Sequence, residues 1–471
     1  MKTECNAIQL EFQGLGSRKV QASFDGGHVS SDGGALLLRD TDTCLDITRR
    51  FAACFTDHRD PELIEHSVLE LVRQRVYGVA LGYEDLNDHD GLMRDPLLAL
   101  AVGKDDPEGR ERHRASDQGK ALASSSTLNR LELTPSDAGG ASRYKKIVYH
   151  TDRIEALFVD VFLDSFTQAP KELILDFDAT DDPLHGNQEG RFFHGYYGCY
   201  CYLPLYVTCG EHLLVAKLRQ SNQDASAGCV DVLAYLVQRI RERWPDIRII
   251  LRADSGFTRE PIMAWCEAND VYYVLGLAKN SRLLAQITQE MANAHVRYLQ
   301  TAVAARVFAQ FMYRTEKTWT RARRVIAKAE HLSKGPNPRF IVTNLPDTYA
   351  SERQLYEDVY CARGDMENRI KEQQLDLFAD RTSSHTMRAN QLRLWFSSLG
   401  YVLMSALRRV GLKETRLAKA TCGSIRLKLL KVGAQIKVSV RRFMIHLASA
   451  CPHQDVFVQA WHNLQQYPLR T

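Results

Sequence analysis

Two short apolar runs, each closed by an acid, constrain this chain most. They are Leu173-Ile174-Leu175-Asp176-Phe177-Asp178 and Arg248-Ile249-Ile250-Leu251-Arg252-Ala253-Asp254. Compact apolar runs of this length are the signature of buried strands. Between them lie strand-like runs at Tyr200–Thr208 and His212–Leu218 and a helical stretch from about Ala225 to Trp244. A helix over Arg259–Ala268 and a strand over Val271–Leu277 follow. The order β, β, β, α, β, α, β predicts an α/β fold with a mixed sheet rather than an all-parallel one.

The flanks read differently. Residues 1–50 carry the turn-rich runs Phe24-Asp25-Gly26-Gly27-His28 and Ser31-Asp32-Gly33-Gly34. Asp60-Pro61-Glu62 predicts a helix start, with Asp as cap and Pro in the first turn. From there Leu63, Ile64, Ser67, Val68, Leu71, Val72, Arg75 and Val76 recur at helical spacing. Asp95-Pro96 opens a second helix through Val102, residues 104–120 read as a charged loop, and Thr127–Glu132 as a short helix. Residues 281–345 interrupt the α/β alternation with strand-like pieces at 306–313, 324–327 and 340–343. A long helix from about Ser351 to Leu377 restores it, and residues 388–447 read as two or three helices.

Composition excludes several classes. With 45% hydrophobic and 25% charged residues in 471, the chain is no disordered tail, collagen or disulfide miniprotein. The start of the chain has no apolar signal-peptide core. The longest apolar stretch, Leu394–Leu407, is broken by Ser397, Ser398, Gly400 and Ser405 and is shorter than the ~20 residues a bilayer needs, so no membrane is expected. Eleven cysteines without a CxxC pair predict reduced thiols in a cytoplasmic protein rather than a zinc site. Charge is uneven: residues 1–170 hold 20 Lys/Arg against 28 Asp/Glu, and residues 381–471 hold 15 against 2. The basic end predicts a surface facing a polyanion, or else an ordinary solvated basic face.

The acids at the strand ends carry the chemistry. Strand ends of α/β sheets open onto the functional crevice. If the first and fourth core strands are neighbours, Asp178 faces Asp254. Two such carboxylates repel and need a cation. A pair of Mg²⁺ ions, with Mn²⁺ as the alternative, suits hard oxygen ligands and bridges to phosphate. Two ions can activate a water or 3′-hydroxyl and stabilise the leaving oxygen of an in-line displacement. A third ligand is expected from the helix after the interruption, where Tyr360, Arg363, Glu367 and Lys371 share one face. The plainer alternative is an Arg363–Glu367 surface pair worth about 0.3–0.5 kcal/mol. Asp176, Asp181 and Asp182 compete with Asp178, and Asp365 and Glu372 with Glu367. His185 and His194 read as turn histidines sooner than ligands.

These pieces, in order, resemble the DDE transposases of bacterial insertion sequences, most strongly insertion-sequence family 1380. The resemblance rests on Phe24-Asp25-Gly26-Gly27, Ser31-Asp32-Gly33-Gly34, Asp57-His58-Arg59-Asp60-Pro61, Ala123 through Glu132, Leu175 through Thr180, Gly195-Tyr196-Tyr197, Leu203-Pro204-Leu205, Leu251 through Phe257 and Glu367 through Glu372. It implies an RNase H-like core in which Asp178, Asp254 and Glu367 are catalytic and bind two metal ions. It implies five regions: 1–165, mostly helical and binding DNA ends; 170–280, the first part of the core; 281–345, a β-rich insertion domain; 346–390, the second part, with the catalytic Glu helix; and 391–471, basic and helical. Relatives with that insertion carry a Tyr-x2-Arg-x3-Glu-x6-Lys signature; Tyr360, Arg363 and Glu367 match it, while Gln374 stands at the Lys position and Lys371 one turn earlier. Their insertion also supplies a Trp that stacks on a flipped base, for which Trp319 is the candidate, with a core Trp as the alternative.

The implied activity is cut-and-paste transposition in a bacterial, nucleoid-associated setting. The partners would be double-stranded DNA with terminal inverted repeats, target DNA, and a second copy in a synaptic homodimer. A transposase-derived DNA-binding protein without catalysis, and an RNase H-like nuclease, are the rival expectations.

Overall fold

The computed structural model describes residues 9–468. The chain forms two compact units, one of residues up to Tyr149 together with those from Leu399 onward, the other His150–Ser398.

In the first unit, local capping decides where helices begin. Asp60 caps only a 3₁₀ turn, Pro61–Leu63, accepting the Glu62 N–H at 3.1 Å. The helix expected from Asp60 starts instead at Val68 and runs to Leu81. Ser67 and Glu70 bond each other's backbone there, so two otherwise orphaned donors are satisfied at once. Asp95 does open its helix as read, bonding the N–H groups of Leu97 and Leu98. The helical reading of 388–447 fails at its end. Ala434–Ser439 and Arg442–Leu447 form a hairpin paired to His28–Ser30. Ala434, Ile436 and Val438 alternate inward onto Leu36 and Leu97, a period of two rather than 3.6.

The basic C-terminal segment is not wholly free for a polyanion. Lys431 pairs at 2.7 Å with Asp32, which is fully buried. Arg426 donates to the carbonyls of Ala80 and Val79, the open end of the Val68–Leu81 helix.

The second unit carries the mixed sheet. Its elements are α1 (Thr151–Asp164), β1 (Glu172–Ala179), β2 (Asp182–Pro183), β3 (Phe192–His194), β4 (Cys199–Tyr202), β5 (Leu205–Cys209), β6 (His212–Lys217), α2 (Cys229–Arg243), β7 (Arg248–Ala253), α3 (Glu260–Ala268), β8 (Tyr272–Leu277), α4 (Ser281–Gln286), α5 (Thr288–Thr301), β9 (Ala305–Tyr313), β10 (Arg323–Leu332), β11 (Arg339–Thr343) and α6 (Gly364–Lys371). The sheet runs β6-β5-β1-β7-β8-β11-β10-β9, with Gly335–Pro336 added on β10. β1, β7 and β8 are mutually parallel. β5 flanks them antiparallel on one side, with β6 antiparallel to β5 beyond it, and β11 flanks them antiparallel on the other.

The segment expected as a separate insertion domain, 281–345, is helical in its first third and then extends this same sheet. β11 is buried from Phe340 to Thr343, so it is satisfied only between two other strands. It joins β8 to β10, and no break separates insertion from core along the sheet.

Alternation gives the sheet two unlike faces. Leu173, Leu175, Phe177, Ile249, Leu251 and Leu275 point to a large core shared with α2 and α3. The other face begins apolar with Ile174, Ile250 and Val274, packed against Leu355 and Tyr356. Toward the C-terminal strand ends it turns polar, through Asp176 and Asp178, then Arg252 and Asp254, with Gly276 alongside. At this transition Asp176 accepts two bonds from Arg252, at 2.5 and 2.7 Å. The third arm of Arg252 donates to the Val359 carbonyl at 2.5 Å. Both side chains are buried. Removing one partner of a buried pair leaves an uncompensated charge and costs about 3–5 kcal/mol. Arg252→Met should lose that much stability in urea denaturation; a loss below about 1 kcal/mol would mean that the pair is dispensable.

Candidate active site

Asp178 is the penultimate residue of β1, and its carboxylate is bonded by its neighbour's backbone, the Ala179 N–H at 2.9 Å. Asp254 follows β7 and caps the 3₁₀ turn Ser255–Phe257, accepting the Gly256 N–H at 2.8 Å. The parallel register pairs Arg252 with Asp176 and Ala253 with Phe177. Carried one step on, it sets Asp254 beside Asp178, with adjacent strands ~4.8 Å apart.

The third acid arrives on an irregular helix. Ser351 and Gln354 cap its start. It then passes through a π-helical stretch, Leu355–Tyr360, and a 3₁₀ turn, Cys361–Arg363, before α6. The even helical face read from the sequence is therefore distorted, yet Tyr360, Arg363 and Glu367 still meet the strand ends. Arg363 donates to Asp178 at 3.2 Å and to Glu367 at 2.5 Å. The surface-pair alternative thus forms, but the same guanidinium also holds Asp178. Tyr360 reaches further in. A Cβ on Gly276 would lie 2.5 Å from the Tyr360 hydroxyl and 2.9 Å from the Ser255 nitrogen, so only glycine fits there.

Two of the acids meet on one guanidinium, with Asp254 beside Asp178. Burial pushes Asp178 up to about 6; Arg363 opposes this, and the nearby charges of Asp254 and Glu367 add to it. Burial works against the charge of Arg363, but Asp178 and Glu367 outweigh it and raise its pKa. Among the described residues no three His, Cys, Asp or Glu side chains stand together as a ready metal cage. Arg363 bridges Asp178 and Glu367 instead. The donor set itself, three hard carboxylates at strand and helix ends, is of the type that suits Mg²⁺.

The competing acids have other employment. Asp176 belongs to Arg252. Asp182 is buried, which drives its pKa well above the carboxylate range. Glu372 is buried and bonded to Arg369 at 2.8 Å. Asp365 makes itself felt at Asp176 rather than at Asp178. His185 is exposed, and the His194 ring lies 4.9 Å from that of Tyr197. Lys371 is exposed and bonds none of the three site acids among the described residues. Gln374, at the signature's Lys position, donates to the Asp181 carbonyl at 3.1 Å. Trp319 does not offer a ring to a base. It is 4% exposed, meets Tyr313 edge-on at 5.8 Å, and lies under Arg323 at 5.5 Å. It is a core tryptophan, the alternative that the sequence left open.

The chain matches the family model "Transposase DDE domain group 1" over residues 12–469. It belongs to that family of DDE transposases. Among solved structures this DDE transposase is similar to a cryo-EM structure of the piggyBac transposase synaptic complex with hairpin DNA. The identity is 12%, the alignment covers 84% of this chain and 79% of that one, and the TM-score is 0.43. No curated protein matches it.

Sequence reading missed two contributors to the transposase's site. Gly276 had a signal, an isolated glycine inside the strand run Tyr272–Leu277, which marks close backbone approach. Arg252 had another, a charge inside an otherwise apolar strand.

The raised pKa of Asp178 has a consequence for stability. Its folded value, about 6, exceeds the reference 3.8. The favourable contribution of the protonated form is full below pH 3.8 and is lost as pH rises through about 6. At pH 7.5 the ionised Asp178 therefore weighs against folding, by roughly 1–3 kcal/mol. Asp178→Asn should raise Tm at pH 7.5, with the gain vanishing near pH 4. A Tm gain independent of pH would rule out this origin.

Proposed function

We propose that this chain is a cut-and-paste DNA transposase of insertion-sequence family 1380 type, with an RNase H-like core. It binds terminal inverted repeats, hydrolyses a phosphodiester at each element end and joins the 3′-hydroxyl ends to target DNA. The observation that carries this reading is that one guanidinium holds Asp178 and Glu367 where two parallel strands set Asp254 beside Asp178.

In this reading Asp178, Asp254 and Glu367 are the ligands of two Mg²⁺ ions, with Mn²⁺ able to replace them. When bound, such ions activate a water or 3′-hydroxyl and stabilise the leaving oxygen. The protein's own residues do the positioning. Arg363 presents a planar fork that matches a phosphate as well as it matches its present carboxylates. Tyr360, wedged on Gly276, fixes where Arg363 leaves the helix. Lys371, one turn past Glu367 and exposed, adds a charge for the DNA backbone. The basic residues from 381 onward supply further phosphate contacts. Affinity for DNA ends should then fall steeply as salt rises. Two element ends must be held together for insertion, so a homodimer on DNA is part of the proposal. So is a bacterial, nucleoid-associated location.

The test is a supercoiled plasmid bearing the inverted repeats that bound the element, incubated with Mg²⁺. Wild type should cut at the ends, while Glu367→Gln and Asp254→Ala should cut at least a hundredfold less and still bind. Cutting by Asp254→Ala at the wild-type rate would sink the site assignment. End binding without any cutting by wild type would favour a transposase-derived DNA-binding protein. Cutting without joining of a pre-cleaved end would favour a nuclease.

A further inference from the structure

A second feature adjoins the acids. The chain leaves Asp178 and enters β2, which pairs with β4 through Asp182↔Tyr202 and Pro183↔Cys201. β3 completes this small sheet through Phe192↔Cys201, Phe193↔Tyr200 and His194↔Cys199. β4 then leads into β5, whose Tyr206 pairs with Asp178 itself. The small sheet is thus tied to the strand of Asp178 at both of its exits. The Tyr202 hydroxyl donates to the Glu189 carbonyl at 2.5 Å, and Ser221 donates to the Phe192 carbonyl at 2.9 Å. Its tip is a tight turn closed by Gly198 N–H on the His194 carbonyl at 2.8 Å, with Gly198 at φ +70°.

This anchored hairpin holds aromatic rings in the open. Tyr196 is 87% exposed, Phe193 57% and Tyr200 46%. Phe193 and Tyr200 meet edge-on at 5.6 Å, and the guanidinium of Arg191 lies 4.7 Å over Tyr200. Tyr196 meets Tyr197 at 5.0 Å. Tyr197 is half-buried, and burial first, then the charges of Asp181, Asp178 and Asp254, push its hydroxyl up to about 12. Burying one such ring is worth roughly 1.5–3 kcal/mol, so a cluster left bare marks a surface kept for a partner. From Gly190 to Cys201 there is no acid, only Arg191 and His194. Bare rings interleaved with a guanidinium suit the π-faces and phosphates of a nucleic-acid strand.

We propose that the β3–β4 hairpin is a stacking platform for unpaired bases at the DNA end, with Tyr196 taking the first base beyond the scissile phosphate and Phe193 and Tyr200 continuing the platform. This rests on the transposase reading above. It moves base stacking from the insertion, where Trp319 is buried, to the hairpin that grows from the strand of Asp178.

The experiment compares two inverted-repeat duplexes in EDTA, so that neither is cut. One is blunt, and the other has its three terminal base pairs mismatched. Wild type should prefer the mismatched end by roughly tenfold, the scale of one base–ring stack. Tyr196→Ala, and Tyr196→Ala with Phe193→Ala, should reduce the preference below about twofold while binding the blunt duplex within about threefold of wild type. Tyr196→Phe keeps the ring and should keep the preference. A tenfold preference surviving in the double variant overturns the proposal. So does a wild type that cuts plasmid ends yet shows no preference, and there the transposase reading stands. A wild type that neither binds the repeats nor cuts removes both. If Tyr196→Ala instead dissociates a dimer in sedimentation and leaves the preference intact, the hairpin is an interface between copies and the stacking assignment falls.

Discussion

The site depends on a buried ion pair that takes no part in its chemistry. Asp176 and Arg252 sit opposite each other on parallel strands, two residues short of Asp178 and Asp254. Their own bonds lock the register that puts the two acids side by side. The remaining arm of Arg252 holds the Val359 carbonyl, at the start of the turn that delivers Tyr360 and Arg363. A single guanidinium thereby fixes both sheet register and helix position. Val359 lies in a π-helical stretch, where carbonyls stray from their usual partners and can be taken by a side chain. A buried pair is weak evidence for net stability, since desolvation offsets most of the attraction. Its value here is geometric, because a one-residue slip of β7 would turn Asp254 to the opposite face.

The acids also set a conflict between folding and function. Burial and mutual repulsion lift the pKa of Asp178, so the ionised form is held at a cost. Arg363 bridges Asp178 and Glu367. A site poised in this way gains more from an added cation, or from a phosphate that draws Arg363 outward, than a relaxed one would. Gly276 belongs to the same economy of space. With any Cβ there, Tyr360 and the Asp254 turn could not share the end of β8.

Much of this was legible in the sequence where one rule acted alone. The runs ending at Asp178 and Asp254 are strands because each alternates between two buried faces, and they end where acids begin. Their adjacency was only a condition in the sequence. Reading failed where two rules competed. Asp60-Pro61 is a good helix opening, but the Ser67–Glu70 box satisfies more donors and wins. Residues 434–447 are basic and apolar in nearly any frame, and only their pairing with His28–Ser30, about 400 residues earlier, selects the strand period. The insertion was read as a domain because it interrupts an alternation. A strand buried on both faces, like β11, gives no sign in sequence of which sheet will bury it.

Trp319 and Tyr196 show the limit of reading aromatic residues by their neighbours in sequence. Trp319 sits among Arg314, Lys317, Arg321 and Arg323, the composition of a nucleic-acid contact. In the fold those charges are largely spent. Arg323 and Arg321 pair with Glu260 and Glu267 of α3, and the tryptophan closes the core beneath them. Tyr196 lies in a run with a single arginine, yet the fold leaves its ring bare. Local charge density tells how many cations are present, not how many remain uncompensated after packing. What a partner meets is the remainder, and on this chain the bare rings stand on the hairpin that follows the strand of Asp178, not in the basic stretch around Trp319.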